Sequence, residues 1–315
     1  MKTKIFIDGS EGTTGLRINE RFSVRDDVEL LKIDPELRKD IAERKRLINE
    51  SDITFLCLPD AAAIESVSLV ENDNVRILDT STAHRTQEGW AYGFAELSKD
   101  HREAIRNGKR IAVPGCHATG FISLVYPMIA GHIMAPDYPV SGLSITGYSG
   151  GGKKMIAEYE GEDRSNLLNA PREYALSQQH KHVKEMQKIT GLTRAPLFSP
   201  IVADYYSGMV VSVPLYSNML KGKQTPQTVH DFFEQFYKNE KFIKVMPFGE
   251  EAKERSFLSG IACSGWDGME IYITGNEDRI LLSSRFDNLG KGASGAAIQC
   301  LNIMLGCEED KGLNL

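Results

Sequence analysis

Short β-branched runs alternate with charge-rich helical stretches through the first third of this 315-residue chain, and that alternation constrains the fold more than any single residue. "KIFIDG" is followed by a helical stretch from Thr13 to Arg25, then by "VELLKI", a helix from Glu36 to Asn49, "DITFLCL", a helix from Asp60, and "VRILDT". Strands separated by helices of this length build βαβ units, and so a parallel, doubly wound sheet. From about Val140 the pattern changes to longer strand-forming runs: "VSGLSITGYSG", "GMVVSVPLY", "MEIYITG" and "RILLSSRF". Helical segments lie between them at Pro171 to Thr190 and Pro226 to Lys238, which reads as an α+β domain on a mixed sheet. The apolar stretch Ala293 to Leu305 is expected to pack back on the first domain. The expected division is 1–116 with 288–315 as one domain and 117–287 as the other.

Composition narrows the partners. A net charge of -6 with dispersed Lys and Arg leaves no basic stripe for nucleic acid, so a small-molecule partner is expected. The opening "MKTKIFIDGSEG" shows no signal-peptide pattern, and no segment approaches the ~20 apolar residues of a membrane span. A cytoplasmic location is the expectation. Five cysteines at irregular spacing, without a CxxC pair, argue against a disulfide framework or a structural zinc site, so free thiols and no metal are expected.

"IFIDGSEGTTGLRI" sets Gly9, Gly12 and Gly15 directly after the first strand and at the opening of the first helix. The spacing is GxxGxxG, close to the dinucleotide fingerprint. Glycines there let the backbone approach a pyrophosphate whose charge sits on the helix N-terminus, with Ser10, Thr13 and Thr14 in the same turn. The choice of dinucleotide stays open on residues alone. Asp34 closes the second strand where an acid would hold the ribose hydroxyls of NAD, yet Arg38 and Lys39 follow, where cations would hold a 2'-phosphate.

"RIAVPGCHATGFISL" places Cys116 after a Pro-Gly turn and at a helix N-terminus, where unpaired backbone N–H groups and the helix dipole favour a thiolate. The other four cysteines read as small buried hydrophobes. A nucleophilic cysteine beside a nicotinamide suggests acyl transfer to the thiol followed by hydride reduction of the thioester. Candidate acid-base groups are His180 and His182 in "SQQHKHVKEM", with Glu185 placed to orient His182. In "TGYSGGGKKM", Ser149, Gly150 and Lys153 belong to a glycine turn that could cradle an oxyanion or phosphate. Arg85 in "STAHR" could clamp an anionic group.

Taken in order, "DGSEGTTGLRI", "FLCLPDAAA", "DTSTAHR", "YGFAEL", "VPGCHATGF", "GYSGGGKKMI" and "FDNLGKGASGAAIQ" resemble the shorter form of the N-acetyl-gamma-glutamyl-phosphate reductases, over nearly the whole chain. The resemblance implies a Rossmann-like dinucleotide-binding domain completed by the C-terminal helix, plus an α+β domain carrying catalysis and oligomer contacts, in a homodimer or homotetramer. It implies reduction of N-acetyl-L-glutamyl 5-phosphate by NADPH in arginine biosynthesis, with Cys116 as nucleophile and His180 and His182 as the histidine-rich segment. The longer form carries a proline where this chain has Lys184. The resemblance turns the cofactor choice toward NADP(H) and Arg38 and Lys39, with Asp34 against it. By analogy it sets Asn288 on the nicotinamide side, and Arg85 and the 149–154 turn toward the acyl phosphate. Aspartate-semialdehyde dehydrogenase shares the chemistry but carries Asn rather than Gly115 before its cysteine. A reductase for the one-carbon-longer aminoadipyl substrate stays open. A cysteine hydrolase and a non-catalytic NADP sensor are the readings from other classes.

Overall fold

The computed structural model describes residues 2–315. By its internal packing the chain forms two compact units, one from the residues up to Pro114 together with Ala293–Leu313, the other from Gly115–Gly292 with Asn314 and Leu315.

The first unit is the expected α/β layer structure. Strands β1 (Thr3–Asp8), β2 (Val28–Leu31), β3 (Ile53–Leu56), β4 (Arg76–Asp79), β5 (Ala91–Tyr92) and β6 (Arg110–Ala112) form one sheet in the order β2-β1-β3-β4-β6-β5, with every neighbouring pair parallel. Helices α1 (Thr13–Phe22), α2 (Ile41–Glu50), α3 (Asp60–Ser68) and α4 (Lys99–Asn107) connect them. Alternation along β1 divides the core between the two faces. Ile5 and Ile7 join Ile18 and Phe22 of α1 and Ala297, Ile298 and Leu301 of the terminal helix Gly295–Leu305, whereas Phe6 joins Leu47, Ile48 and Ala63 of α2 and α3. The terminal helix therefore completes this unit.

Two boundaries differ from the sequence reading. α1 ends at Phe22 rather than Arg25, and α2 begins at Ile41 rather than Glu36. Polar side chains take over the backbone at the second site: Asp34 Oδ1 accepts the Glu36 N–H, and Asp40 accepts that of Glu43 as the N-cap. Arg38 and Lys39 thus stand in an exposed turn before the helix.

The second unit opens on α5 (Cys116–Ala130) and holds β7 (Ser141–Gly147), α6 (Gly152–Glu160), β8 (Arg172–Glu173), α7 (His182–Thr190), β9 (Leu197–Ala203), β10 (Met209–Tyr216), α8 (Pro226–Tyr237), β11 (Ile243–Val245), β12 (Met269–Gly275) and β13 (Arg279–Phe286). Its seven strands run β11-β12-β13-β10-β7-β9-β8 and mix parallel with antiparallel pairs. One face lies under α5, whose close approach needs Gly120: a Cβ there would sit 2.4 Å from Val211 of β10. The other face leaves Leu143, Ile145 and Leu281 exposed.

The helix expected from Pro171 to Thr190 is present only from His182 onward. Arg172–Glu173 pairs with β9 instead, and Ala175 and Gln178 take positive φ. The Gln178 side chain bonds both the N–H and the carbonyl of Phe198, which holds this irregular segment in place without a helix.

Candidate active site

In the first unit the glycine turn joins the carboxyl end of β1 to α1, where the chain order passes from β2 on one side of β1 to β3 on the other. Open α/β sheets bind ligands at such a switch. Gly9 has φ +89°, and a Cβ on it would lie 2.5 Å from the Cys57 carbonyl oxygen. On Gly15 a Cβ would lie 2.5 Å from the Gly9 carbonyl oxygen. Both positions thus need glycine for the fold itself. Gly12 differs, because its nearest atoms would be 3.6 Å away. It is the N-cap of α1 with no side-chain cap, so the first-turn N–H groups beside Ser10, Thr13 and Thr14 face outward from the helix end. Thr13 Oγ1 is buried and has no hydrogen-bond partner among the described residues, as a hydroxyl awaiting a ligand would. These features fit a dinucleotide phosphate.

Arg85, expected to clamp an anion, is 8% exposed and donates from Nε to the Val113 carbonyl at 2.8 Å and from Nη2 to that of Thr80 at 2.9 Å. It ties the loop after β4 to the end of β6.

The second unit carries the thiol centre. Cys116 is the first residue of the 15-residue helix α5, behind the N-cap Gly115. The Gly115 N–H donates to Glu185 Oε1 at 2.9 Å, so a carboxylate of α7 holds the turn that presents the thiol. Gly292 leaves room on the other side, since a Cβ there would lie 2.9 Å from Cys116 Cβ. Cys116 is half-exposed, as are Cys57 and Cys307, while Cys263 and Cys300 are buried.

Three histidine rings gather at His117, the residue that follows Cys116 in α5. His180 and His182 lie 4.7 Å apart, and His117 lies 5.3 Å from His180 and 5.6 Å from His182. The His182 N–H donates to His180 Nδ1 at 3.1 Å, which leaves the proton of a neutral His180 ring on Nε2. His117 is 3% exposed, bonded through Nδ1 to Ser144 Oγ and through Nε2 to the Tyr174 hydroxyl, each at 2.7 Å. Burial, then the neighbouring His180, pushes it down to about 3. His117 is the member of this cluster that the sequence reading passed over. It stood inside an apolar helical run next to the cysteine, and nothing local marked the Ser144 and Tyr174 partners that the fold delivers.

The segment 148–151 is not a loose glycine loop but a 3-10 turn running into α6. The Tyr148 and Ser149 N–H groups donate to the Tyr205 and Tyr206 carbonyls, and Ser149 Oγ accepts from Asn288 Nδ2 at 3.0 Å. Asn288 Oδ1 in turn accepts the Gly208 N–H at 2.8 Å. Asn288 thereby pins Ser149, while Gly150 and Lys153 lie on the exposed side.

The comparisons with known proteins agree with this geometry. Residues 116–288 match the family described as semialdehyde dehydrogenase, dimerisation domain. A Nostoc protein named N-acetyl-gamma-glutamyl-phosphate reductase 2 is 45% identical over 320 aligned positions, covering 99% of each chain. The chain belongs to the N-acetyl-gamma-glutamyl-phosphate reductase family.

The family's fold is shared more widely. Aspartate semialdehyde dehydrogenase from Francisella tularensis superposes with a TM-score of 0.73 at 16% identity, covering 96% of this chain and 100% of that one. The Candida albicans aspartate semialdehyde dehydrogenase with NADP gives 0.65 at 14%, covering 97% and 99%. At such identities the likeness is one of fold, a Rossmann-type unit with a dimerisation domain. The matched domain of this reductase-family chain begins at Cys116 itself. Among the described residues no helix is long and apolar enough to cross a membrane. One group there, His230, Asp231 and Glu234 on α8, could offer three metal-ligand atoms, and His230 Nε2 meets the Met246 carbonyl at 3.0 Å.

Proposed function

We propose that the chain reduces N-acetyl-L-glutamyl 5-phosphate with NADPH to N-acetyl-L-glutamate 5-semialdehyde and phosphate, a step of arginine biosynthesis, through a thioester on Cys116. The observation that carries the reading is Cys116 itself. It opens a buried helix, behind a Gly115 turn held by Glu185 and directly before His117, whose ring meets those of His180 and His182, in a chain 45% identical to a relative of that name.

The helix N-terminus and its unpaired N–H groups favour the thiolate. The sulfur attacks the acyl carbon, a C–S bond forms, and the C–O bond to phosphate breaks as phosphate leaves. The His180 and His182 pair serves proton transfer at the tetrahedral stages. NADPH, when bound, would supply a hydride to the thioester carbon. The C–S bond of the resulting thiohemiacetal then breaks, which releases the aldehyde and returns the thiolate. Gly9, Ser10, Gly12, Thr13, Thr14 and Gly15 would hold the pyrophosphate, and the exposed Arg38 and Lys39 the 2'-phosphate. Asn288 is assigned to the nicotinamide side, and Arg85, Ser149, Gly150 and Lys153 to the anionic substrate.

We place the reaction in the cytoplasm and the enzyme in a homodimer or homotetramer joined by the open face of the mixed sheet. Exposed Leu143, Ile145 and Leu281 on that face, in a domain matched to a dimerisation family, support this.

The test is phosphate-dependent NADP reduction in the reverse direction, with N-acetyl-glutamate semialdehyde, aspartate semialdehyde, the aminoadipate homologue and no aldehyde run in parallel. Turnover of the first substrate, lost without phosphate and in Cys116→Ser, is the expected result. Turnover of another aldehyde in its place would overturn the substrate assignment.

A further inference from the structure

Helix α8 carries a second group of ionisable side chains, outside the thiol centre. His230, Asp231 and Glu234 each bring one nitrogen or carboxylate oxygen within 4.8 Å of the others. Glu234 follows Asp231 by three residues and His230 by four, the separations at which side chains on a helix are neighbours. Both carboxylates are exposed. His230 is 6% exposed, and its ring packs edge-on against Phe248.

The bonding of His230 decides which of its nitrogens faces the carboxylates. The Met246 carbonyl can only accept, so the Nε2–H of His230 donates to it at 3.0 Å. A neutral ring then carries a lone pair on Nδ1, not a proton. That nitrogen lies 3.3 Å from Asp231 Oδ1, and among the described residues no donor reaches it. Two lone pairs facing each other at that distance repel. A charged imidazolium would relieve the contact by donating to Asp231, but such a charge-assisted bond closes to about 2.7–2.9 Å. A cation between the two atoms relieves it at the distance found, because ligands held about 2.1 Å from one tetrahedral zinc ion stand roughly 3.4 Å apart.

We propose that His230 Nδ1, Asp231 and Glu234 form a site for a divalent transition metal of the zinc class. Two carboxylates balance the charge of the ion, and the imidazole selects zinc-like ions over Mg2+ and Ca2+, which take oxygen donors. Partners that orient the ligands are in place. The Met246 carbonyl fixes the tautomer of His230, and Gln227 Nε2 donates to Asp231 Oδ1 at 2.7 Å. Glu234 makes no hydrogen bond or ion pair among the described residues, so its carboxylate can turn onto the ion without breaking one. A bound ion would hold α8, through His230, to the chain that follows β11, where Met246 lies. The site uses no cysteine, and it stands whether or not the thioester reading does.

The test is a Zn2+ titration of the full chain after dialysis against a chelator, with a chromophoric chelator as competitor. The unaltered chain is expected to bind Zn2+ in the micromolar range. Asp231→Asn and Glu234→Gln should each bind one ion fewer there, its affinity falling at least about tenfold, and Gln227→Ala should weaken that ion by about tenfold. Both carboxylate variants leave every cysteine and the histidines beside Cys116 in place, so the loss assigns the ion to α8. Because both positions are exposed, the metal-free variants should melt with the unaltered chain, while the rise in melting temperature that Zn2+ produces should shrink in Glu234→Gln. Equal Zn2+ binding by the unaltered chain and both variants, or binding that begins only at millimolar Zn2+, overturns the proposal.

Discussion

The carboxylate of Glu185 accepts the backbone N–H of Gly115 at 2.9 Å across 70 residues of sequence, and so binds α7 to the turn that presents Cys116. Glu185 is 1% exposed. Glu185→Ala should leave that N–H buried without an acceptor, at a cost of about 1–3 kcal/mol. A lower melting temperature and a kcat that falls more than KM changes are expected, with Glu185→Gln milder because its amide oxygen still accepts. An unchanged melting temperature in Glu185→Ala would show that the bond is dispensable.

The glycine turn permits a separation of fold from ligand. Gly9 and Gly15 cannot carry a Cβ without meeting backbone at 2.5 Å, so their alanine variants should lose stability outright. Gly12 has ordinary φ and no atom nearer than 3.6 Å, so Gly12→Ala should melt with the unaltered chain. NADPH binding, followed by nucleotide fluorescence, should nevertheless weaken at least about tenfold, or about 1.4 kcal/mol, because the methyl stands where phosphate meets the helix end. Unchanged binding would remove Gly12 from the nucleotide site.

Physical reasons separate what the sequence made legible from what it did not. Periodicity showed the parallel sheet because buried strands and amphipathic helices alternate at their own periods, as the two-faced burial of Ile5, Phe6 and Ile7 shows. It overran at Glu36, where the Asp34 side chain takes a backbone N–H, and at Pro171, where Arg172–Glu173 pairs with β9 and Ala175 and Gln178 take positive φ. Cys116 was legible because a turn and a helix start are local signals. His117 was not, since its role depends on Ser144 and Tyr174, 27 and 57 residues away. Glu185 was read as a partner for His182, and its hydrogen bond to Gly115, 70 residues away, had no local signal.

Asp8 closes β1 with its Oδ2 accepting from Arg44 Nε at 3.2 Å, Arg44 Nη2 at 3.1 Å and Ser66 Oγ at 2.8 Å. Both members of the pair are almost fully buried. Removing one partner leaves an uncompensated charge inside, so Arg44→Ala should destabilise the first unit by roughly 3–5 kcal/mol. Urea unfolding checks it; a loss under ~1 kcal/mol would mean that the carboxylate finds water or another donor.

His117 also sets an acid limit on stability. Its folded value near 3 lies below the ordinary 6.5, so between those values the unfolded chain binds a proton that the native one does not. Stability therefore rises with pH across that window and falls as pH drops from 6.5 toward 3, with a slope of up to about 1.4 kcal/mol per pH unit from this group. His117→Gln has no group to titrate there, so its melting temperature should decline less steeply between pH 6.5 and pH 4. Parallel curves would show that His117 is not protonated on unfolding in that range.

The open face of the mixed sheet gives the last prediction, on assembly. Along β7 the buried residues Gly142, Ser144 and Thr146 alternate with Leu143 and Ile145, which are 41% and 38% exposed, and Leu281 of β13 adds to the same apolar surface. A cavity of about 280 Å³ on this face is lined by Ile145, Val210, Thr274 and Leu281 of the sheet and by Glu251, Ser256, Leu258 and Gly260 of the chain before β12. An aspartate at an outward position costs the isolated fold little, because its charge stays in water, but in an interface it would be desolvated without a partner. Ile145→Asp should therefore keep the secondary structure by circular dichroism while sedimenting as a monomer, and Leu143→Asp should behave alike. If both variants sediment as the unaltered protein does, assembly uses another surface.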